Sequence, residues 1–137
     1  MKLNKLIFLI MIFLLVLNSG CTYGNYTVTK SVAIDTFSKM YMSYKKFNGY
    51  KAAEINVKEG EQYQVNVSIV TKDGKLGLTI ALKNDEKDKQ DESIYEGNEL
   101  PDCNFKITLD KPGKYIIKVT GEDHSGSYEI TWNKVEN

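Results

Sequence analysis

The feature that most constrains this chain is a two-residue alternation of apolar and polar side chains that begins near Lys39 and is still running at Trp132. Tyr63, Val65, Val67 and Ile69 alternate with Gln64, Asn66 and Ser68, and Leu76, Leu78, Ile80 and Leu82 again take every second place. Cys103, Phe105, Ile107 and Leu109 repeat the pattern, followed by Tyr115, Ile117 and Val119 and then by Tyr128, Ile130 and Trp132. Successive side chains of an extended chain point to opposite faces, so this spacing buries one face of a strand and leaves the other to water. Helical spacing has no comparable run after residue 21; only Ser38 to Lys46, with Met40, Met42 and Tyr44, fits either period.

Turn chemistry divides the alternation into pieces. Asn48-Gly49 lies between Met40–Phe47 and Tyr50–Val57, and since both residues tolerate positive φ, the pair predicts a two-residue hairpin. Asp73-Gly74 predicts another tight reversal, Lys111-Pro112-Gly113 a type II turn, and Asp123 to Gly126 the last turn. Asn84 to Ser93 has no apolar residue and reads as a solvated loop, with Ile94-Tyr95 a short edge strand before Leu100-Pro101 turns the chain. About seven or eight short strands at this spacing predict an all-β fold, an antiparallel β-sandwich or jelly roll.

The amino terminus is of another kind. Lys2 and Lys5 form a basic head, Leu6 to Leu17 are apolar without a break, and Asn18-Ser19-Gly20 lead into Cys21. A run of about a dozen apolar residues falls short of the roughly 20 that a bilayer-spanning helix needs, so residues 1–20 are expected to be a helical signal peptide, cleaved on export. The junction resembles the bacterial lipoprotein signal, in which small residues, here Ser19 and Gly20, precede an obligatory cysteine. Asn18 departs from that pattern, which has an aliphatic residue there. The resemblance implies a diacylglycerol thioether on Cys21 and a protein held on the extracytoplasmic face of the cell membrane. Two acyl chains give the firm anchoring that one cannot. Plain secretion or an uncleaved anchor is the alternative. Residues 21–37, polar with scattered Tyr26, Val28 and Val32, are expected to be a tether holding one short strand at most, and 38–137 the sandwich domain.

Charge narrows the partners. The 18 basic residues, all lysine, balance 18 acidic ones. A near-neutral chain without clustered positive charge has no electrostatic footprint for nucleic acid. Without arginine it also lacks the planar fork that grips carboxylate or phosphate bidentately. There are two cysteines. If Cys21 carries lipid, Cys103 is left alone on an inward face, where it acts as a small hydrophobe. If it does not, a Cys21–Cys103 disulfide becomes available outside the cell.

Residues suited to catalysis are few. His124, the one histidine, sits in Glu122-Asp123-His124-Ser125-Gly126-Ser127, which has the letters of a catalytic triad but not its geometry, because neighbours in one turn cannot place a base between a nucleophile and an orienting acid. A solvated turn is expected there, with weak metal capture by Asp123 and His124 the lesser alternative. Asp85, Glu86, Asp88, Asp91 and Glu92 suggest calcium, yet lysines interrupt them and the spacing of an EF-hand loop is missing, so a mixed-charge loop is expected. No catalytic residue, metal or cofactor follows from the sequence. Among nine tyrosines, Tyr63, Tyr115 and Tyr128 are in phase with the core, whereas Tyr41, Tyr50 and Tyr95 are the candidates for an exposed platform that takes a sugar or polymer. The 84–97 loop is the candidate projection if the chain acts instead as a protein inhibitor.

Glu59-Gly60 before a strand, Gly77-Leu78 in the next, Lys111-Pro112-Gly113-Lys114-Tyr115 and Ser125-Gly126-Ser127-Tyr128 together resemble the bacterial pre-peptidase C-terminal type of β-sandwich. Tyr44 to Lys51 is similar to a Tyr-Lys-x-Phe-Asn-Gly-Tyr-Lys segment of small Firmicutes lipoproteins. These resemblances imply a non-catalytic accessory or binding module; a cell-wall glycan or a protein is the expected partner.

Overall fold

A computed structural model of the chain describes Lys5 and residues 22–136. The expected signal peptide and the Cys21 attachment point therefore lie outside the described residues, Lys5 excepted. Among the described residues there are seven strands: β1 (Thr22–Thr29), β2 (Val32–Thr36), β3 (Lys39–Val57), β4 (Tyr63–Leu82), β5 (Glu92–Gly97), β6 (Cys103–Leu109) and β7 (Gly113–Lys134). All pairings are antiparallel, in the order β1-β3-β7-β4-β5, with β2 added to β3 and β6 added to β4. The all-β antiparallel expectation holds.

Three long strands, β3, β4 and β7, of 19, 20 and 22 residues, each serve both layers of the sandwich. In β3, residues 39–44 pair with 126–131 of β7 and residues 49–57 pair with 113–121, with register shifts between. The β4 and β7 ladder shifts in the same way between Thr71 and Lys75. One layer is thus β2, the start of β3, the end of β7, the start of β4 and β6. The other is β1, the end of β3, the start of β7, the end of β4 and β5. The three bends lie together at one end of the molecule. The three reversals between long strands and their neighbours, at 58–62, 83–91 and 110–112, lie at the other.

This corrects the sequence reading at three places. Asn48-Gly49, Asp73-Gly74 and 123–126 are not hairpin turns; the chain runs through them as bulged strand. The conformation expected of Gly49 is real, with φ at 110°, but one positive-φ residue opens a bulge as readily as it closes a reversal. Which of the two forms depends on whether the flanking segments find partners elsewhere. Here β7 offers 22 residues to both.

The second correction concerns the tether. Thr22–Thr29 pairs in full with β3, from Thr22↔Ala53 through Thr29↔Lys46, and Val32–Thr36 pairs with β3 from Ser43 to Lys39, so residues 22–36 are two edge strands. Most of their side chains are exposed, and their attachment comes from the backbone ladder more than from apolar burial.

The core lies between the layers. Met40, Met42, Ile55, Val65, Leu78, Ile80, Ile117, Ile130 and Trp132 are all buried there. Inside the bends the filling is aromatic, with the Phe47 ring centroid 5.2 Å from that of Tyr44 and 6.3 Å from that of Tyr128. Each open side of the sandwich is closed differently. At the β5/β6 side Tyr95 stacks on Phe105 at 4.9 Å. At the β1/β2 side the buried Lys51 ammonium, from one layer, is paired with the Asp35 carboxylate of the other. Cys103 is half-buried against the core, and burial, with the charge of Asp102, pushes its thiol pKa up, which keeps it in the unreactive protonated form.

Candidate ligand-binding groove

The outer face of the β1-β3-β7-β4-β5 layer carries a depression lined by two tyrosines and by polar side chains. Its geometry follows from register. Tyr23 is opposite Ala52, Ala52 opposite Lys118, and Lys118 opposite Thr79, so one row of side chains crosses four strands on a single face. The adjacent row runs Glu54, Ile116 and Ala81. The short side chains of Ala52, Thr79 and Ala81 lie on either side of Ile116 and Lys118 of the central strand β7, with Tyr23 and Tyr50 on one flank and Asp91, before β5, on the other. The resulting groove has a volume of about 330 Å³.

Its walls combine apolar surface with polar tips. Tyr23 is 44% exposed, and its hydroxyl pKa is raised by partial burial and by the nearby Glu54 and Tyr50. The Lys118 ammonium lies 4.7 Å from the Tyr50 ring centroid, a cation–π contact. One row toward the bends, a second depression of about 270 Å³ opens over Gly77 and Thr120, edged by Lys75, Asn98, Glu99 and Glu122. The Lys75–Glu99 pair at 2.9 Å raises the Lys75 pKa, so that rim stays charged.

Of the three tyrosines expected to form a platform, Tyr50 alone lines this groove. Tyr41 faces outward from the opposite layer, with the Lys39 ammonium 5.7 Å from its ring. Tyr95 packs on Phe105 at the sandwich edge, against the core. The structure does not bring the three together. Tyr23, which completes the wall, gives no sign of itself in the sequence because it belongs to a segment without alternation; Lys118, Thr79 and Asp91 carry no signal of their own.

His124 also differs from expectation. It is fully buried and not part of a solvated turn, because the bend in β7 folds it inward. Its Nδ1 meets the Tyr44 hydroxyl, and its Nε2 lies 2.8 Å from Thr71 Oγ1, which donates to the Leu100 carbonyl at 2.8 Å. Since the Thr71 proton goes to Leu100, Thr71 accepts from Nε2–H, and Nδ1 accepts from Tyr44. Every bond in the series is then satisfied by neutral imidazole. Burial lowers the His124 pKa and raises that of Tyr44, so both stay uncharged. Asp123 and His124 do not share a metal site. Among the described residues no three His, Cys, Asp or Glu side chains converge as metal ligands. The acidic loop is held by the Asn84 N–H donating to Asp91 at 2.9 Å and by Lys89–Glu86 at 2.9 Å.

A pH dependence of stability follows. The pKa of His124 is depressed in the fold, so the stabilisation from burying it neutral is complete above the unfolded value of about 6.5 and is lost as pH falls below that through the lower folded pKa. Urea midpoints should drop between about pH 8 and about pH 5 in the parent and drop less in His124→Gln. An identical drop in both proteins would assign the effect to other groups.

Scanned against protein-family models and against curated proteins, the chain matches none. Among solved structures it is similar to a carbohydrate-binding module of the β-sandwich superfamily, at 11% identity and a TM-score of 0.46, over 85% of this chain and 58% of that one. It is also similar to the family 11 carbohydrate-binding module of Clostridium thermocellum in complex with a β-1,3-1,4-mixed-linked tetrasaccharide, at 14% identity and a TM-score of 0.43, over 82% and 85% of the two chains. The periplasmic inhibitor of g-type lysozyme from Aeromonas hydrophila is similar at 15% identity and a TM-score of 0.41, over 84% and 89%. These are distant likenesses.

Proposed function

We propose that this chain is a non-catalytic binding module that holds a carbohydrate chain in the groove over Ala52, Thr79 and Ala81, displayed at the extracytoplasmic membrane surface by lipid on Cys21. The observation that carries the binding reading is the placement of Tyr23 and Tyr50 in one groove with the apolar Ala52, Ala81 and Ile116 and the polar Lys118, Thr79 and Asp91. Tyrosine rings offer flat apolar area to the C–H face of a sugar, while the surrounding donors and acceptors fit its hydroxyls. The resemblance of residues 59–132 to pre-peptidase C-terminal domains agrees with an accessory binding role, as does the lipoprotein-like junction before Cys21.

Retardation in native gels cast with soluble cell-wall glycans tests this. The full chain is expected to be retarded by at least one such polymer, and Tyr50→Ala or Tyr23→Ala to weaken retention about tenfold, the usual effect of losing a central aromatic anchor. Tyr41→Ala should leave retention unchanged. Absence of retardation by every glycan, or equal retention by Tyr50→Ala and the parent, would overturn the reading.

A further inference from the structure

The end of the sandwich opposite the bends carries the most exposed large apolar side chain among the described residues, Phe37, at 77%. Its exposure is not that of a loose loop. The Phe37 carbonyl accepts a hydrogen bond from Trp132 Nε1 at 3.0 Å, and the Ser38 carbonyl accepts one from the Trp132 N–H at 2.9 Å. Trp132 itself is buried in the core. The turn backbone is therefore clamped from inside while the phenyl ring is held out in water.

The chain's first strand starts at the same end of the molecule. β1 begins at Thr22, paired with Ala53, and Phe37 lies beside Glu54, Ile55 and Asn56 of the same strand. Thr22 and Phe37 thus flank one short segment of β3 at one end of the molecule. Cys21 immediately precedes Thr22, so no tether intervenes between the anchor and the folded domain. An anchor there draws this end to the lipid.

We infer that the Phe37 end of the sandwich is a membrane-docking surface, with the phenyl ring seated in the lipid interface and the bends pointing away. This rests on acylation of Cys21 as proposed above. Tyr23 is two residues from the anchor, so the groove opens beside the membrane and ascends from it.

Spin-label accessibility of the full, acylated chain in phosphatidylglycerol and phosphatidylethanolamine vesicles tests the orientation. Labels are placed by Phe37→Cys, and by Lys72→Cys at the bend end, each with Cys103→Ser. The ratio of collisions with oxygen to collisions with a water-soluble nickel chelate should be several-fold higher at position 37 than at 72. Equal ratios in protein that still sediments with vesicles would overturn the docking surface and leave the anchor standing. A label at 37 shielded from both reagents would mean that a protein covers it, and would overturn the proposal too. Failure to sediment would remove the anchor itself and this orientation with it.

Discussion

Gly126→Ala is expected to destabilise the protein by about 3–5 kcal/mol, lowering the melting temperature by roughly 15 °C. Two separate effects add at this residue. Its φ is 143°, a conformation that side chains rarely adopt. A Cβ at this position would also stand 1.9 Å from the Val70 carbonyl oxygen and 2.9 Å from its carbon, both backbone atoms of the neighbouring strand. Relief requires β7 to move away from β4 at the bend, next to the buried His124. Gly60 separates the two effects, because its φ of 81° is also left-handed but a methyl group there would meet no atom within 4 Å. Gly60→Ala should therefore cost only about 1 kcal/mol. Thermal unfolding of the two variants checks this, and equal losses would mean that the close approach at the bend is not what holds the layers in place.

The bends also show why part of the fold is legible in the sequence and part is not. Alternation identifies β6 and both halves of β7, because each of these segments buries one face against the core, and Tyr115, Ile117, Ile130 and Trp132 are buried as their phase requires. It cannot tell a bend from a reversal. Asn48-Gly49 supplies the same local geometry to both, and the outcome is decided by ladder partners more than 60 residues away, such as Gly121 opposite Gly49. The edge strands escape for another reason. β1 has two half-buried side chains among its eight and β2 has one among its five, so neither carries the apolar period from which a strand is read. The groove inherits that blindness, since half of its aromatic wall is Tyr23. His124 is hidden by its polar neighbours, as Asp123 and Ser125 stay outward while the ring between them turns in.

Asp35→Ala is expected to cost about 3–5 kcal/mol, more than its position on an exposed edge strand suggests. Asp35 pairs in register with Met40 and so shares its core-facing side, where it meets Lys51 of the opposite layer. The two side chains are not equally placed: Lys51 is 3% exposed and Asp35 24%. Removing the carboxylate leaves an ammonium inside the sandwich with no counter-charge, and the remaining approach, to the Tyr26 ring at 5.7 Å, is long. Removing the lysine instead leaves a carboxylate that water reaches, so Lys51→Met should cost only about 1–2 kcal/mol. The double variant Asp35→Leu with Lys51→Met should return close to the parent, since apolar side chains of similar volume commonly replace a buried pair at little cost. Urea unfolding of the parent, Asp35→Leu, Lys51→Met and their double variant closes the cycle, with Asp35→Ala measured beside them. The larger loss must fall on Asp35→Ala; if Lys51→Met is the more damaging, the carboxylate of Asp35 left without its counter-charge, and not the buried ammonium, is the costlier half of the pair.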